Sequence, residues 1–431
     1  MLTAAGRQFT DWSSFYRIFE KDRLDTEKFF DVVRENCLQE ISGHEMIIAH
    51  MDDTIIKKTG KKVAGTAWRR DPLGPPFHTN FIWGQRFVQI SMSLPDQQSN
   101  SQSRGIPIDF HHCPSLKKPL KSASVADIKI FQEQQRIAKL SQQGILRVQQ
   151  LRHKLDLQGE RRQLLLCVDG SYTNNTVLKS LPDTVTLIGR IRKDTKLYKL
   201  PENMKGVGRK KVYGQQLPTP EQVRLSEEYP WQKVRAWAAG KIHDFNVKVI
   251  NDVRWRPAGE NHTMQLIVIR PLGYRLTKNG KMLYRQPGYL LCTDCKLSLD
   301  KLLQAYLWRW EIEVNFRDEK TLMGCGQAQV RTEKAVRNLP AFMTAMYSFL
   351  HLASHRANKV KPELTLPRPL WYADKNAQRT TSGDIVNLFR TQVWGNDVKI
   401  NFSSFLKNQH QIKSLRNIAN PLTSAIFYAR K

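Results

Sequence analysis

Apolar residues in this chain recur in two rhythms, short unbroken runs and a longer helical spacing, and the alternation between them outlines its elements. Met46 to Met51 is an apolar run interrupted only by His50, and it stops at Asp52 and Asp53. It reads as a buried strand with carboxylates at its carboxyl end. Phe81 to Leu94, rich in aromatic and β-branched residues, and Ile106 to Phe110 read as two further strands, and the three together suggest an antiparallel meander. From Ser124, with Asp127 completing a capping-box pattern, a polar and apolar repeat runs to about Leu157 with only Gly144 against it. That predicts one helix of roughly nine turns. Leu164 to Val168 is another buried strand, ending in Asp169-Gly170, and Asn175 to Leu181 and Thr184 to Ile191 follow as a short helix and a strand.

This order predicts an α/β fold, a mixed sheet with helices on its faces, in which ligands gather at strand ends. From about Thr195 to Gly288, Gly, Pro, Lys and Arg interrupt short alternating runs, the signature of a β-rich insertion. Ser298-Leu299-Asp300 is a helix start, and helix continues from Leu302 to Leu322 and again through His351. The expected organisation is a short N-terminal region (1–44), a first part of a catalytic core (45–194), the insertion (195–290), a second part of the core (291–355) and a basic C-terminal region (356–431).

Charge narrows the partner. The chain of 431 residues carries 68 Lys and Arg against 39 Asp and Glu, a formal charge of +29. Such an excess favours a polyanion, nucleic acid or an anionic membrane surface, because neutralised phosphates release their counterions. The longest uncharged apolar stretch, Leu339 to Ser354, is too short to span a bilayer and reads as a buried helix. No signal-peptide pattern opens the chain, and six cysteines without a dense framework fit a reducing compartment, so a cytoplasmic location is expected. Cys292 and Cys295 form a lone C-x-x-C, and His111, His112 and Cys113 a second cluster; zinc would need both to converge, against a default of buried, inert thiols. Phosphate-binding glycine loops are absent, which argues against a nucleotide-driven motor.

The chemistry gathers in the helix after Asp300. Tyr306, Arg309, Glu313 and Lys320 fall within an arc of about 60° on a 100°-per-residue helix. One face therefore holds an acid, two bases and a phenol, while Trp308, Trp310 and Phe316 make the helix too aromatic for a freely solvated stripe. The two strand-end acids add to this. If the strands are neighbours, Asp53, in phase with Ile47, Ala49 and Met51, and Asp169, in phase with Leu165 and Cys167, can approach one another. Paired carboxylates call for a cation between them, and two Mg²⁺ ions caged by Asp53, Asp169 and Glu313 would suit phosphodiester chemistry.

At these residues the sequence resembles a known family. Tyr306, Arg309, Glu313 and Lys320 reproduce the Tyr-Arg-Glu-Lys spacing of bacterial insertion-sequence transposases with a DDE triad. Met51-Asp52-Asp53-Thr54 is similar to the family's first-aspartate motif, where the acid before Thr is catalytic, which favours Asp53 over Asp52; Val168-Asp169-Gly170 resembles the second. The resemblance spans about residues 45 to 355 and implies a ribonuclease-H-like sheet interrupted by a β-strand insertion between the second Asp and the Glu.

It further implies Mg²⁺-dependent cleavage at transposon ends, with Mn²⁺ as a substitute, and attack of the freed 3′-hydroxyl on target DNA, through a DNA hairpin with a flipped base. Asp53, Asp169 and Glu313 would then be both catalytic and metal-binding, and Tyr306, Arg309 and Lys320 would grip phosphates. Tyr289 is the candidate for stacking on the flipped base, against the bland reading of a core tyrosine in a strand. Lys57, Lys58, Lys61, Lys62, Arg69, Arg70, Lys205, Arg209, Lys210 and Lys211 are candidate phosphate contacts. Double-stranded DNA, as terminal inverted repeats and as target, is the implied partner, bound by a homodimer and not at a membrane. A structure-specific or general DNA nuclease on the same fold is the competing function.

Overall fold

The computed structural model describes residues 13–21, 23–41, 45–71, 74–75, 77–96, 99–201, 211–259, 262–277, 279–360 and 380–397, with a few isolated positions outside these stretches. Helices α1 (Ser13–Glu20) and α2 (Thr26–Glu40) lead into four strands: β1 (Ile47–Lys57), β2 (Ala67–Arg70), β3 (Phe81–Asp96) and β4 (Ser99–Cys113). Helices α3 (Val125–Ile137) and α4 (Leu140–Leu157) follow, then β5 (Leu164–Val168), α5 (Asn175–Lys179) and β6 (Val185–Arg190). The next segment contributes α6 (Pro220–Leu225), β7 (Gln232–Ala238), β8 (Lys241–Val253), β9 (Met264–Ile269), β10 (Gly273–Tyr274), β11 (Leu283–Tyr284) and β12 (Gly288–Cys292). Four helices complete the described chain: α7 (Leu299–Trp308), α8 (Trp310–Thr321), α9 (Glu333–Val360) and α10 (Ser382–Asp397). No helix among the described residues is long and apolar enough to cross a membrane.

One mixed sheet organises the molecule, in the order β2-β3-β1-β5-β6-β12-β9-β8-β7 with β4 added on β3. β1, β5 and β6 run parallel in the middle, and antiparallel strands extend both sides, an arrangement consistent with a ribonuclease-H-like fold. The strands after Thr195 do not form a separate body: β12, β9, β8 and β7 continue the same sheet, and only the two-stranded β10-β11 ribbon stands apart. Alternation along the central strands sorts side chains onto two faces. Ile47, Ala49 and Met51 of β1 join Leu164, Leu166 and Val168 of β5 in a core shared with α2 and α4. Leu165 and Cys167 point the other way, with Ile48 beside them, into a core closed by Leu302, Leu303 and Ala305 of α7.

Three sequence expectations need correction. The helix expected from Leu302 to Leu322 is divided at Arg309 into α7 and α8, where three-residue hydrogen bonds tighten the turn. The stretch from Ser124 to Leu157 is two helices, because Lys139 adopts an extended conformation between them, although the Ser124–Asp127 capping box does start α3. No Pro or Gly marks that break. The first acids also do not end their strand: β1 continues to Lys57 on the β3 side, and only its pairing with β5 stops at Met51.

Helix α8 comes to lie on β4 at Gly105. A Cβ there would sit 2.9 Å from Glu311 Cβ and 3.1 Å from Asn315 Oδ1, so the close approach depends on the missing side chain. The predicted buried helix around Leu339 is the middle of α9, which carries Pro340 inside it.

Candidate active site

Register decides which acids meet. β1 and β5 pair in parallel with Met51 opposite Val168, so one further step sets Asp52 beside Asp169 on the α7 face. Asp53 points to the other face. Its Oδ1 accepts from the Tyr172 hydroxyl at 3.2 Å, and its Oδ2 lies 3.3 Å from Arg86 Nε. β1 and β5 are neighbours as expected, and the Asp169 charge still acts on Asp53, but the two side chains leave their strands on opposite faces, because alternation within each strand says nothing about the offset between strands.

Arg309 joins the elements. It stands at the step between α7 and α8, where bonds from Arg309 N to Tyr306 O and from Ile312 N to Arg309 O tighten the turn. From there its Nη1 donates to Asp52 Oδ2 at 3.0 Å and lies 3.8 Å from Glu313 Oε1. Tyr306 lies alongside, its ring centroid 5.9 Å from the guanidinium carbon. Asp169, half-buried at the mouth of β5, is held by Ser171, whose backbone N and hydroxyl donate to its two carboxylate oxygens. Glu313 and Lys320 are half-buried on the same helix, and Tyr306, Asp52, Glu313 and Asp169 all lie within electrostatic reach of Arg309, while Lys320 neighbours Glu319 and Glu313.

The electrostatics are those of a crowded acidic site. Burial and the Asp169 charge push the Asp52 carboxyl up to about 7, although Arg309 and the Asp53 backbone N–H favour the ionised form. Burial likewise raises Asp53, against the pull of Arg86 and the Tyr172 hydroxyl. His50, buried below Arg309 with its Nε2 2.6 Å from Ser93 Oγ, is pushed down to about 3 by burial and by that guanidinium, so it is neutral. Among the described residues no three His, Cys, Asp or Glu side chains converge closely enough to chelate an ion on their own. The donor set is nevertheless of the kind a hard cation takes: carboxylate oxygens on adjacent strands, one of them buried beside a like charge.

Other predicted contacts divide. Tyr289 is 4% exposed in β12, and its hydroxyl donates to Glu221, so it is a core residue and has no free face for stacking. Lys58 is spent on the backbone, donating to Gly326 O at 3.0 Å and Ala328 O at 3.3 Å. Lys57, Lys61, Lys62, Arg70 and Lys211 are exposed, and Arg69 is half-buried. Lys205, Arg209 and Lys210 lie outside the described residues, as does most of the basic C-terminal region.

Sequence reading missed a buried acid behind this helix. Glu319 is 2% exposed and faces the Gln89 amide of β3, and burial pushes its carboxyl up to about 8. Ionised, it would accept from the Gln89 amide N at 3.0 and 3.2 Å; protonated, it donates to the amide oxygen, whose nitrogen then donates to Ser91. Its place next to Lys320 was visible in the sequence, but burial was not.

A family model described as DDE superfamily endonuclease matches residues 1–259, well over half of the chain. The chain belongs to that family. Asp52, Asp53 and Asp169 of this DDE superfamily endonuclease lie inside the matched span, whereas Tyr306, Arg309, Glu313 and Lys320 lie beyond it, so their link to the two aspartates rests on the geometry given above. No curated protein matches the chain.

Proposed function

We propose that this chain is a DNA transposase of the Tyr-Arg-Glu-Lys group, cleaving element ends and joining the 3′-hydroxyl to target DNA. The observation that carries the reading is the Arg309 side chain, which at the step between α7 and α8 reaches Asp52 and Glu313, with Tyr306 beside it. Asp52, rather than Asp53, takes the part of the first acid, since it is the one in register with Asp169. Asp52, Asp169 and Glu313 would hold two Mg²⁺ ions, or Mn²⁺ in their place, which when bound would activate a hydroxyl nucleophile and offset charge on the leaving oxygen.

The chain's own residues do the rest. Arg309 holds the Asp52 and Glu313 carboxylates toward one another and keeps two elements far apart in sequence in a fixed relation. Tyr306 packs against that guanidinium, and Lys320, on the Glu313 side, offers a cation to a phosphate. The +29 charge supports double-stranded DNA as the partner, and a homodimer is the expected DNA-bound form.

The test is incubation of the full chain with Mg²⁺ and labelled duplexes carrying the element's terminal inverted repeats. The reading expects cleaved ends and joined products that vanish with EDTA and with Glu313→Ala. Products cleaved but never joined would instead favour a nuclease, which the family's endonuclease description also accommodates. Identical products from wild type and Glu313→Ala would overturn both.

A further inference from the structure

On the Asp53 side of β1 there is a second basic site. A cavity of about 300 Å³ opens between the sheet and the α3–α4 junction, and Arg69, Arg86, Lys118 and Lys139 line it without any acidic side chain. The carboxylate that faces the two guanidiniums is Asp53, 3.3 Å from Arg86 Nε, so one negative charge stands against four positive ones. The donors are also incompletely used. Arg69 Nη2 donates to Ser115 Oγ at 2.7 Å and to Cys113 O at 3.4 Å, but its Nε is buried without a hydrogen-bond partner, and Arg86 Nε meets the Asp53 carboxylate as an ion pair without a hydrogen bond.

The cavity walls add two features. Lys139 begins α4 in an extended conformation, and no side chain caps that helix, whose first residue, Leu140, lines the cavity. The uncapped N–H groups and the helix dipole there favour an anion. Phe131 and Leu140 form an apolar wall beside the cations, fitted to the sugar or base that an organic phosphate carries and inorganic phosphate lacks.

We propose that this cavity binds the phosphate of a nucleotide, with its sugar or base against Phe131, on the face of β1 opposite the acid cluster. The volume suits a single nucleotide rather than a duplex. The source is either a nucleotide of a bound DNA strand or a free nucleotide. Only the first of these rests on the transposase reading.

The experiment uses the full chain at fixed ionic strength and measures binding of deoxyadenosine 5′-monophosphate, inorganic phosphate and a 5′-phosphorylated single-stranded decamer. Lys118→Ala/Lys139→Ala removes two exposed cations from the cavity, and Lys233→Ala/Lys241→Ala removes the same charge from the opposite edge of the sheet. The proposal expects the first pair to weaken monophosphate or decamer binding about tenfold and the second to bind as wild type. Loss for both organic probes assigns the cavity to nucleotide and strand alike, and loss for the decamer alone assigns it to the strand. No saturable binding of either organic probe, or equal losses in the two double variants, overturns the proposal. Failure of Mg²⁺-dependent DNA cleavage with cavity binding intact would remove the transposase reading and leave this one standing.

Discussion

Asp52 and Asp53 are adjacent in the chain, equally acidic, and in utterly different surroundings. Asp52 faces α7 and α8, where it meets a second carboxylate and the Arg309 guanidinium. Asp53 faces α4 and the basic cavity, where it accepts from the Tyr172 hydroxyl and pairs with the Arg86 guanidinium. The first environment leaves a charge conflict that an incoming cation would relieve; the second sets the carboxylate against a guanidinium of the protein's own. What separates them is a single residue of strand alternation, read through the register with β5.

The largest expected effect lies on the Asp52 face. Asp52→Asn should lower DNA cleavage by at least ~10³-fold, about 4 kcal/mol in the barrier, whereas Asp53→Asn should cost markedly less. Single-turnover cleavage rates decide between them, and the reverse ranking would restore Asp53 as the first acid. Next is the seat of the Arg309 helix. Gly105→Val must displace α8 from β4 and should cost about 2–3 kcal/mol in denaturant unfolding, with Arg309 no longer able to reach Asp52. An unchanged unfolding midpoint would show that the contact is looser than the structure has it.

The buried acid behind α8 gives a pH signature. The Glu319 carboxyl sits at about 8 when folded, above its ordinary 4.5, so the folded protein binds more protons between those values. Its contribution to stability is complete below pH 4.5 and is lost as pH rises through 8. Glu319→Gln removes that loss, so unfolding at pH 9 should show the variant more stable, by on the order of 2 kcal/mol, with a flatter profile. The smallest effect belongs to the Asp53 face: Tyr172→Phe deletes the hydroxyl donor to a half-buried carboxylate and should cost about 1 kcal/mol. A loss several times larger would mean that Asp53 depends on Tyr172 far more than on Arg86.

Local pattern carried the elements well and their mutual placement poorly. Met46 to Met51 and Leu164 to Val168 announced buried strands with acids after them, and the spacing after Asp300 announced helix, although the step at Arg309 divides it into α7 and α8. Neither run contains the offset between strands, which is set by long-range pairing, and the preference for Asp53 over Asp52 rested on its place before Thr54 alone. Tyr289 opens an apolar run that reads equally as a surface or an interior strand, and only its place between β6 and β9 buries it. The break at Lys139 is likewise a tertiary outcome, since nothing in Ile137 to Leu140 disfavours helix strongly.

The segment after Thr195 adds its strands to the central sheet. Six strand spacings separate β1 from β7, a span of roughly 29 Å at ~4.8 Å per spacing. Hydrogen-bonded throughout, that span would serve the proposed transposase as a fixed gauge: a duplex lying across it and touched at the far edge would be measured from the carboxylates at roughly eight or nine base pairs, given ~3.4 Å per pair. The distance between an anchored sequence and the cut would then be written into the width of the sheet, and lengthening a loop would not alter it.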